Sequence, residues 1–272
     1  MRVRASGRES FCAPLWTAAR LLAEVGLVLV TRPTRSRADV FCAGFGHAAP
    51  RPSAGTLIAA PTDEAAAAAK ASGRGDVLRV DYGLDDFVDA DCDSYEFLLE
   101  SDAPYLFCAC EMSGRTPIAA LCGALTWAQK CRSAPPLALL ALWGVEERAY
   151  QAFLHTAEGF GLTERLQVVE VAGGEELGAL AGRARCALSV LSEHECGYVA
   201  LGSAAAGVPT VVLGGGAHLA DHVVLVDEPA QVAEALESAL EQRDALARAA
   251  EPLRSRRWKT FLEAVLSFAR RG

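Results

Sequence analysis

The run CALSVLSEHECGYVALGSAAAGVPTVVL, from Cys186 to Leu213, admits few folds. Its apolar ends, Cys186–Leu191 and Thr210–Leu213, read as strands buried on both faces, and the small residues from Tyr198 to about Ala206 as a short helix between them. Gly207 supplies the left-handed backbone that closes such a helix, and Pro209 forbids its continuation. Strand, polar loop, helix and strand make one crossover unit of a parallel sheet. In such a unit the loop leaving the first strand and the N-terminus of the helix face the crevice where ligands bind. The loop Ser192–Gly197 brings Glu193, His194 and Glu195 to that position and so reads as a site. The competing reading of Glu195 is a carboxylate that caps the helix.

Helical and strand-like patterns alternate through most of the 272 residues, which points to an α/β chain, and an apolar fraction of 51% is ample for a core. A net charge of −8 argues against a general nucleic-acid binder. The sign is uneven: up to Arg51 there are eight Arg against Glu9, Glu24 and Asp39. That basic stretch is either a solvated face or a surface for an anionic acceptor or a membrane. The nine Cys form no Cys-x-x-Cys pair, and Cys42, Cys108 and Cys186 lie in apolar runs where a thiol acts as a small hydrophobe. Neither a structural metal nor a disulfide is expected, and a reducing cytoplasm fits. Arg20 and Glu24 interrupt the first apolar stretch, so no secretory signal is read. No run approaches the roughly 18 residues that span a bilayer, and a soluble protein is expected.

In chain order, Met1–Val3 reads as a strand, 5–10 as a loop containing Gly7, Pro14 to Val25 as a helix, and Leu27–Thr31 and Asp39–Ala43 as strands. The turn Gly44-Phe45-Gly46-His47 is either plain surface or faces the crevice, with His47 touching sugar or phosphate. Thr56–Ala60 and Val77–Val80 flank a poly-alanine helix opened by Thr62 and ending near Ala71. Further strands are expected at Ala103–Ala109, Pro136–Trp143, Leu166–Val171 and Val223–Val226. Helices are expected from Pro117, Glu146, Leu177, Pro229 and Ala245, with a last one from Arg257 to Phe268. Trp258 reads as a packing anchor. The loop Glu111–Arg115 precedes the helix at Pro117, where helix N–H groups and the Arg115 guanidinium suit a diphosphate. The other reading is a solvated arginine.

These stretches resemble the retaining GT-B glycosyltransferases of family four. Ala204-Ala205-Ala206-Gly207-Val208-Pro209-Thr210-Val211-Val212 is similar to the end of their donor motif, Glu-Gly-Phe-Gly-x-Pro-x-x-Glu-Ala-x-Ala-x-Gly-x-Pro-Val-Val, and Glu195, Gly197 and Tyr198 to its beginning. Tyr82-Gly83-Leu84-Asp85-Asp86-Phe87 resembles the Tyr-Gly-Val-Asp-x-x-x-Phe signature that ends their N-terminal domain. Counted from Gly207-Val208-Pro209 the motif's second Glu falls on Gly202; counted from Glu195 it falls on Ser203.

The resemblance implies a GT-B-like α/β chain with two Rossmann-like parallel-sheet domains, the N-terminal one reduced. Its parts would be 1–82, a nucleotide-sugar domain over 83–255, and a terminal helix over 256–272 that crosses back. It implies a retaining, metal-independent transfer from a nucleotide-diphosphate sugar to an unknown acceptor, with no cofactor besides that co-substrate. By the same resemblance Glu195, His194 and His47 are catalytic. Arg115, Gly114 and Gly7 hold the diphosphate, and Gly197, Tyr198, Ser203 and Gly215 the sugar and ribose. Val171, Gly173 and Glu176 line the base. A degenerate GT-B subunit that binds a partner without turnover is the alternative, an epimerase of the same fold a weaker third. Peripheral membrane contact and homo- or hetero-oligomerisation stay open.

Overall fold

The computed structural model describes residues 29–30, 40–42, 57–71, 76–99, 102–111, 118–131, 134–135, 137–143, 147–171, 173–191 and 196–269. The strands β1 (Leu29–Val30), β2 (Val40–Cys42), β3 (Leu57–Ala60) and β4 (Asp76–Arg79) form a parallel sheet in chain order. Between β3 and β4 runs α1 (Asp63–Ala71), and the Thr62 hydroxyl accepts the Ala65 N–H at 3.0 Å to satisfy one orphan donor of its first turn.

The second sheet is parallel throughout, in the order β10-β9-β8-β5-β6-β7. Its strands are β5 (Tyr105–Glu111), β6 (Leu137–Trp143), β7 (Leu166–Glu170), β8 (Cys186–Val190), β9 (Thr210–Leu213) and β10 (Val224–Val226). The crossovers include α3 (Ile118–Lys130), α4 (Glu147–Gly159), α5 (Gly174–Gly182) and α6 (Tyr198–Ala205). Covered on both faces, β8 and β9 need no polar alternation, which is why each is mostly apolar, with only Ser189 and Thr210 as buried polar residues. Cys108 and Cys186 are buried in it as small hydrophobes, and burial pushes the Cys186 thiol up to about 12. The two all-parallel sheets bear out the expected α/β architecture. Among the described residues no helix is long and apolar enough to cross a membrane.

The chain ends in α7 (Val232–Glu241), α8 (Arg243–Ala250) and α9 (Trp258–Ala269). The helix expected from Ala245 starts earlier, at Arg243, and gives way at Glu251 to a tighter turn, where Pro252 ends the regular ladder. Trp258 is fully buried, as expected of an anchor, stacked on Tyr82 with ring centroids 5.9 Å apart and edge-on to Phe261 at 5.3 Å. The Tyr82 hydroxyl donates to the Ala59 carbonyl at 3.2 Å, so the aromatic group reaches β3 in the first sheet. One continuous core joins Val40, Leu57 and Ala59 to Phe261 and Val265. The last helix therefore packs against Tyr82, and through it is joined to β3.

Between the sheets in chain order comes the short helix α2 (Asp85–Val88), held by α5, α6 and the start of α9. Asp85 accepts the Trp258 N–H at 2.9 Å, capping α9 from 173 residues away, and faces Arg257 at 3.4 Å. Partial burial raises the Asp85 carboxyl, and the Trp258 amide and Arg257 oppose the rise. On the inner side, α2 rests on glycines. A Cβ at Gly178 would lie 1.6 Å from the Asp86 carbonyl oxygen and one at Gly174 2.5 Å from its Oδ2. These contacts explain why α5 starts at Gly174 and not at the expected Leu177: glycines that look like loop are the face on which α2 sits. Gly178→Ala forces backbone against backbone, and a loss of about 3 kcal/mol is expected, read as a fall in urea midpoint at unchanged slope.

Candidate functional site

The order of the second sheet reverses between β5 and β8, which pair directly from Leu106↔Cys186 to Ala109↔Ser189. Such a switch point opens a crevice at the carboxyl ends of the two strands, because the following crossovers leave in opposite directions. Arg115 and Gly114 follow β5, and His194 and Glu195 follow β8. All four lie outside the described residues, as do Gly7 and His47. What the structure establishes is that the two strands delivering Arg115 and Glu195 are neighbours.

Beside this point a cleft of about 350 Å³ separates the two sheets. One wall comes from the ends of β3 and β4: Thr62, Glu64, Arg79 and Tyr82. The other comes from the ends of β8 and β9: Cys196, Tyr198, Ala217 and His218. Carboxyl ends of strands from both sheets thus face one another across it. At its rim Arg79 contacts Asp81 at 2.8 Å and Asp63 at 3.2 Å, and Arg256 stands 3.8 Å from Asp81. These exposed pairs are worth at most about 1 kcal/mol each. Among the described residues no group of three His, Cys, Asp or Glu is arranged to hold a metal ion.

The two loops of the second wall are built on glycine. Gly197, at the start of α6, has φ +68°, and Gly214 and Gly215 after β9 have +82° and +88°, a region L side chains rarely enter. Buried Leu219 fills the space beneath: a Cβ on either Gly197 or Gly215 would approach its methyls to 2.9 Å. Gly197 and Gly215, both expected at the sugar, are therefore brought together on one leucine. His218 Nε2 lies 3.1 Å from the Cys196 carbonyl and ties the same two loops a second time.

Tyr198 and Ser203 correct the expectation of side chains that hold sugar and ribose. Tyr198 is buried, and its hydroxyl donates to Asp86 Oδ2 at 2.8 Å. Burial, with Asp86 adding to it, holds its phenol far above the usual range, so it stays neutral. Ser203 is 1% exposed, and its hydroxyl bonds the Val199 carbonyl at 2.9 Å, one turn back along α6. The other register fares no better, since a Cβ at Gly202 would lie 2.4–2.6 Å from three ring carbons of Phe87. The second carboxylate is missing because its position is filled by the core.

Val171 and Gly173 are buried, leaving backbone for a base to meet, and Glu176 is half-buried on the first turn of α5. Sequence reasoning missed Asp86, a carboxylate only 5% exposed. Besides Tyr198 it accepts the Trp258 indole N–H at 3.2 Å, so it joins α2, the first residue of α6 and the terminal helix. Its one outward signal is a pair of adjacent acids at 85–86 before Phe87: the first faces Arg257, the second turns inward.

No protein-family model and no curated protein matches the chain. Solved structures do. A sucrose-phosphate synthase from Thermosynechococcus elongatus is 18% identical with TM-score 0.58; the match covers 86% of this chain and 57% of that one. WaaG, a glycosyltransferase of lipopolysaccharide biosynthesis, is 17% identical with TM-score 0.62, covering 93% and 80%. HepE from Anabaena, solved with UDP-glucose, is 16% identical with TM-score 0.60, covering 79% and 64%. The chain thus spans little more than half the length of the first of these. With its parallel sheets it shares their fold: the chain has the GT-B glycosyltransferase fold.

Proposed function

We propose that the chain is a glycosyltransferase that moves a sugar from a nucleotide-sugar donor to an acceptor, with retention and without a metal ion. The observation that carries this reading is the switch point: the strands preceding Arg115 and Glu195 are adjacent and open beside a cleft walled by both sheets. Sugar transfer passes through an oxocarbenium-like state while charge builds on a departing diphosphate. The Arg115 guanidinium and the N-terminus of α6 supply the compensating positive field, and Glu195 or His194 orients sugar hydroxyls. Gly173 and Val171 offer backbone to the base. HepE and its complexes with UDP-glucose and UDP lend support at the level of the donor class.

The test incubates the protein with UDP-, GDP- and ADP-sugars and follows nucleoside diphosphate release. Release is expected with one donor, and Glu195→Ala is expected to slow it about 100-fold or more, the scale on which removing one preorganised polar group acts. Absence of release, together with no thermal shift on any nucleotide, overturns the reading. A second reading, a binding subunit without turnover, is favoured by the burial of positions 202 and 203, which leaves α6 without a ribose carboxylate. It is expected to give a thermal shift with nucleotide but no diphosphate release.

A further inference from the structure

The loop after β9 carries a group to which the proposed chemistry assigns no task. His218 lines the cleft, with Nε2 3.1 Å from the Cys196 carbonyl oxygen. A carbonyl only accepts, so Nε2 bears a proton, and in the neutral imidazole Nδ1 then keeps its lone pair. That Nδ1 is buried and, among the described residues, has no hydrogen-bond partner. A buried acceptor left unpaired costs stability, and a partner that arrives with a ligand accounts for its retention. Gly216 lies against it: a Cβ there would be 2.8 Å from Nδ1 and 3.2 Å from Cε1. That glycine belongs to the Gly214–Gly216 turn, which has no side chains of its own to unpack.

We propose that His218 is a sugar-binding residue, its Nδ1 accepting a hydrogen bond from a hydroxyl of the donor sugar once the Gly214–Gly216 turn moves aside. This rests on the cleft being a nucleotide-sugar site. The ligand class follows from the atom. An unprotonated imidazole nitrogen takes a hydroxyl hydrogen and has nothing to offer a phosphate oxygen, so the contact falls on the sugar and not on the diphosphate. The Cys196 carbonyl fixes the ring in the tautomer this requires, and it immediately precedes the glycine that opens α6.

His218→Gln separates the two nitrogens, because a glutamine amide reproduces the Nε2–H donor toward Cys196 and has no counterpart of Nδ1. Dissociation constants for UDP and UDP-glucose, or for the GDP or ADP pair if that is the nucleotide bound, are measured by calorimetry on wild type and variant. The nucleotide constant is expected to stay within about twofold and the nucleotide-sugar constant to rise about tenfold, the scale of one lost hydrogen bond. Equal losses for both ligands, or none, overturn the assignment. Should the variant melt early, long-range proton–nitrogen NMR of histidine-labelled wild type decides. The Nδ1 resonance must be of the unprotonated type and must move with the nucleotide sugar but not with the nucleotide alone; a protonated or unresponsive Nδ1 overturns the proposal. Failure of every nucleotide to bind wild type removes the proposed function and this inference together, whereas unimpaired sugar-nucleotide binding by His218→Gln removes this inference alone.

Discussion

Gly202→Glu, which would return the carboxylate that the family pattern carries at this register, is expected to unfold the chain and not to create a ribose contact. A Cβ alone would press to within 2.4–2.6 Å of the Phe87 ring, and Phe87 is itself fully buried with its edge against Tyr198. Overpacking of this kind costs about 1–3 kcal/mol. The carboxylate would then be buried without a cation, adding several kcal/mol more. Against a total stability of about 5–15 kcal/mol the sum leaves little folded protein. Thermal melts of the series Gly, Ala, Glu at position 202 are expected to fall stepwise, with the glutamate variant lacking a cooperative transition. A glutamate variant that melts with the wild type would show that α2 does not pack on α6 as described.

Trp258→Ala is the next largest expected loss, about 3–5 kcal/mol for a wholly buried aromatic. The cavity opens between Tyr82, Tyr198 and Phe261, and Asp86 loses its indole donor. At roughly 2–4 °C per kcal/mol for a chain of this size, the midpoint is expected to drop by on the order of 10 °C. Trp258→Phe keeps most of the stacking and forfeits the N–H, while Asp86 still accepts from Tyr198, so its loss is expected to be about 1.5–3 kcal/mol, that of one hydrogen bond to a charged group. Differential scanning calorimetry of the pair distinguishes packing from hydrogen bonding. Equal midpoints for the two variants would place the stabilisation in the indole N–H and not in the ring.

The crossover from Cys186 to Leu213 was legible because its signals are local: β8 and β9 are mostly apolar, and Gly207 does adopt φ +86° before Pro209. Trp258 was legible for a similar reason, as a large apolar residue opening an amphipathic helix. The α2 seat was not legible. Asp86 meets Gly178, and Phe87 meets Gly202, across about a hundred residues, and nothing in a window around any of them announces the others. Glycine also misled in two directions. Gly174 looked like loop and is the first residue of α5, while Gly202 looked like a lost carboxylate and is a space required by Phe87. Tyr198 and Ser203 were read by residue type as hydroxyls available to a ligand. Their partners, Asp86 and the Val199 carbonyl, come from how deep α6 lies.

The bond from the Trp258 indole to Asp86 joins residues 172 positions apart. During synthesis at roughly 5–20 residues per second, Asp86 and Tyr82 wait about 10–35 s for that partner to leave the ribosome. Throughout this interval the aromatic face that later closes over the first sheet is open to solvent, to chaperones and to other nascent chains. Translation speed across the stretch between them is therefore a lever on yield, and ribosomes stalled short of codon 258 should display a half-built protein that holdases capture.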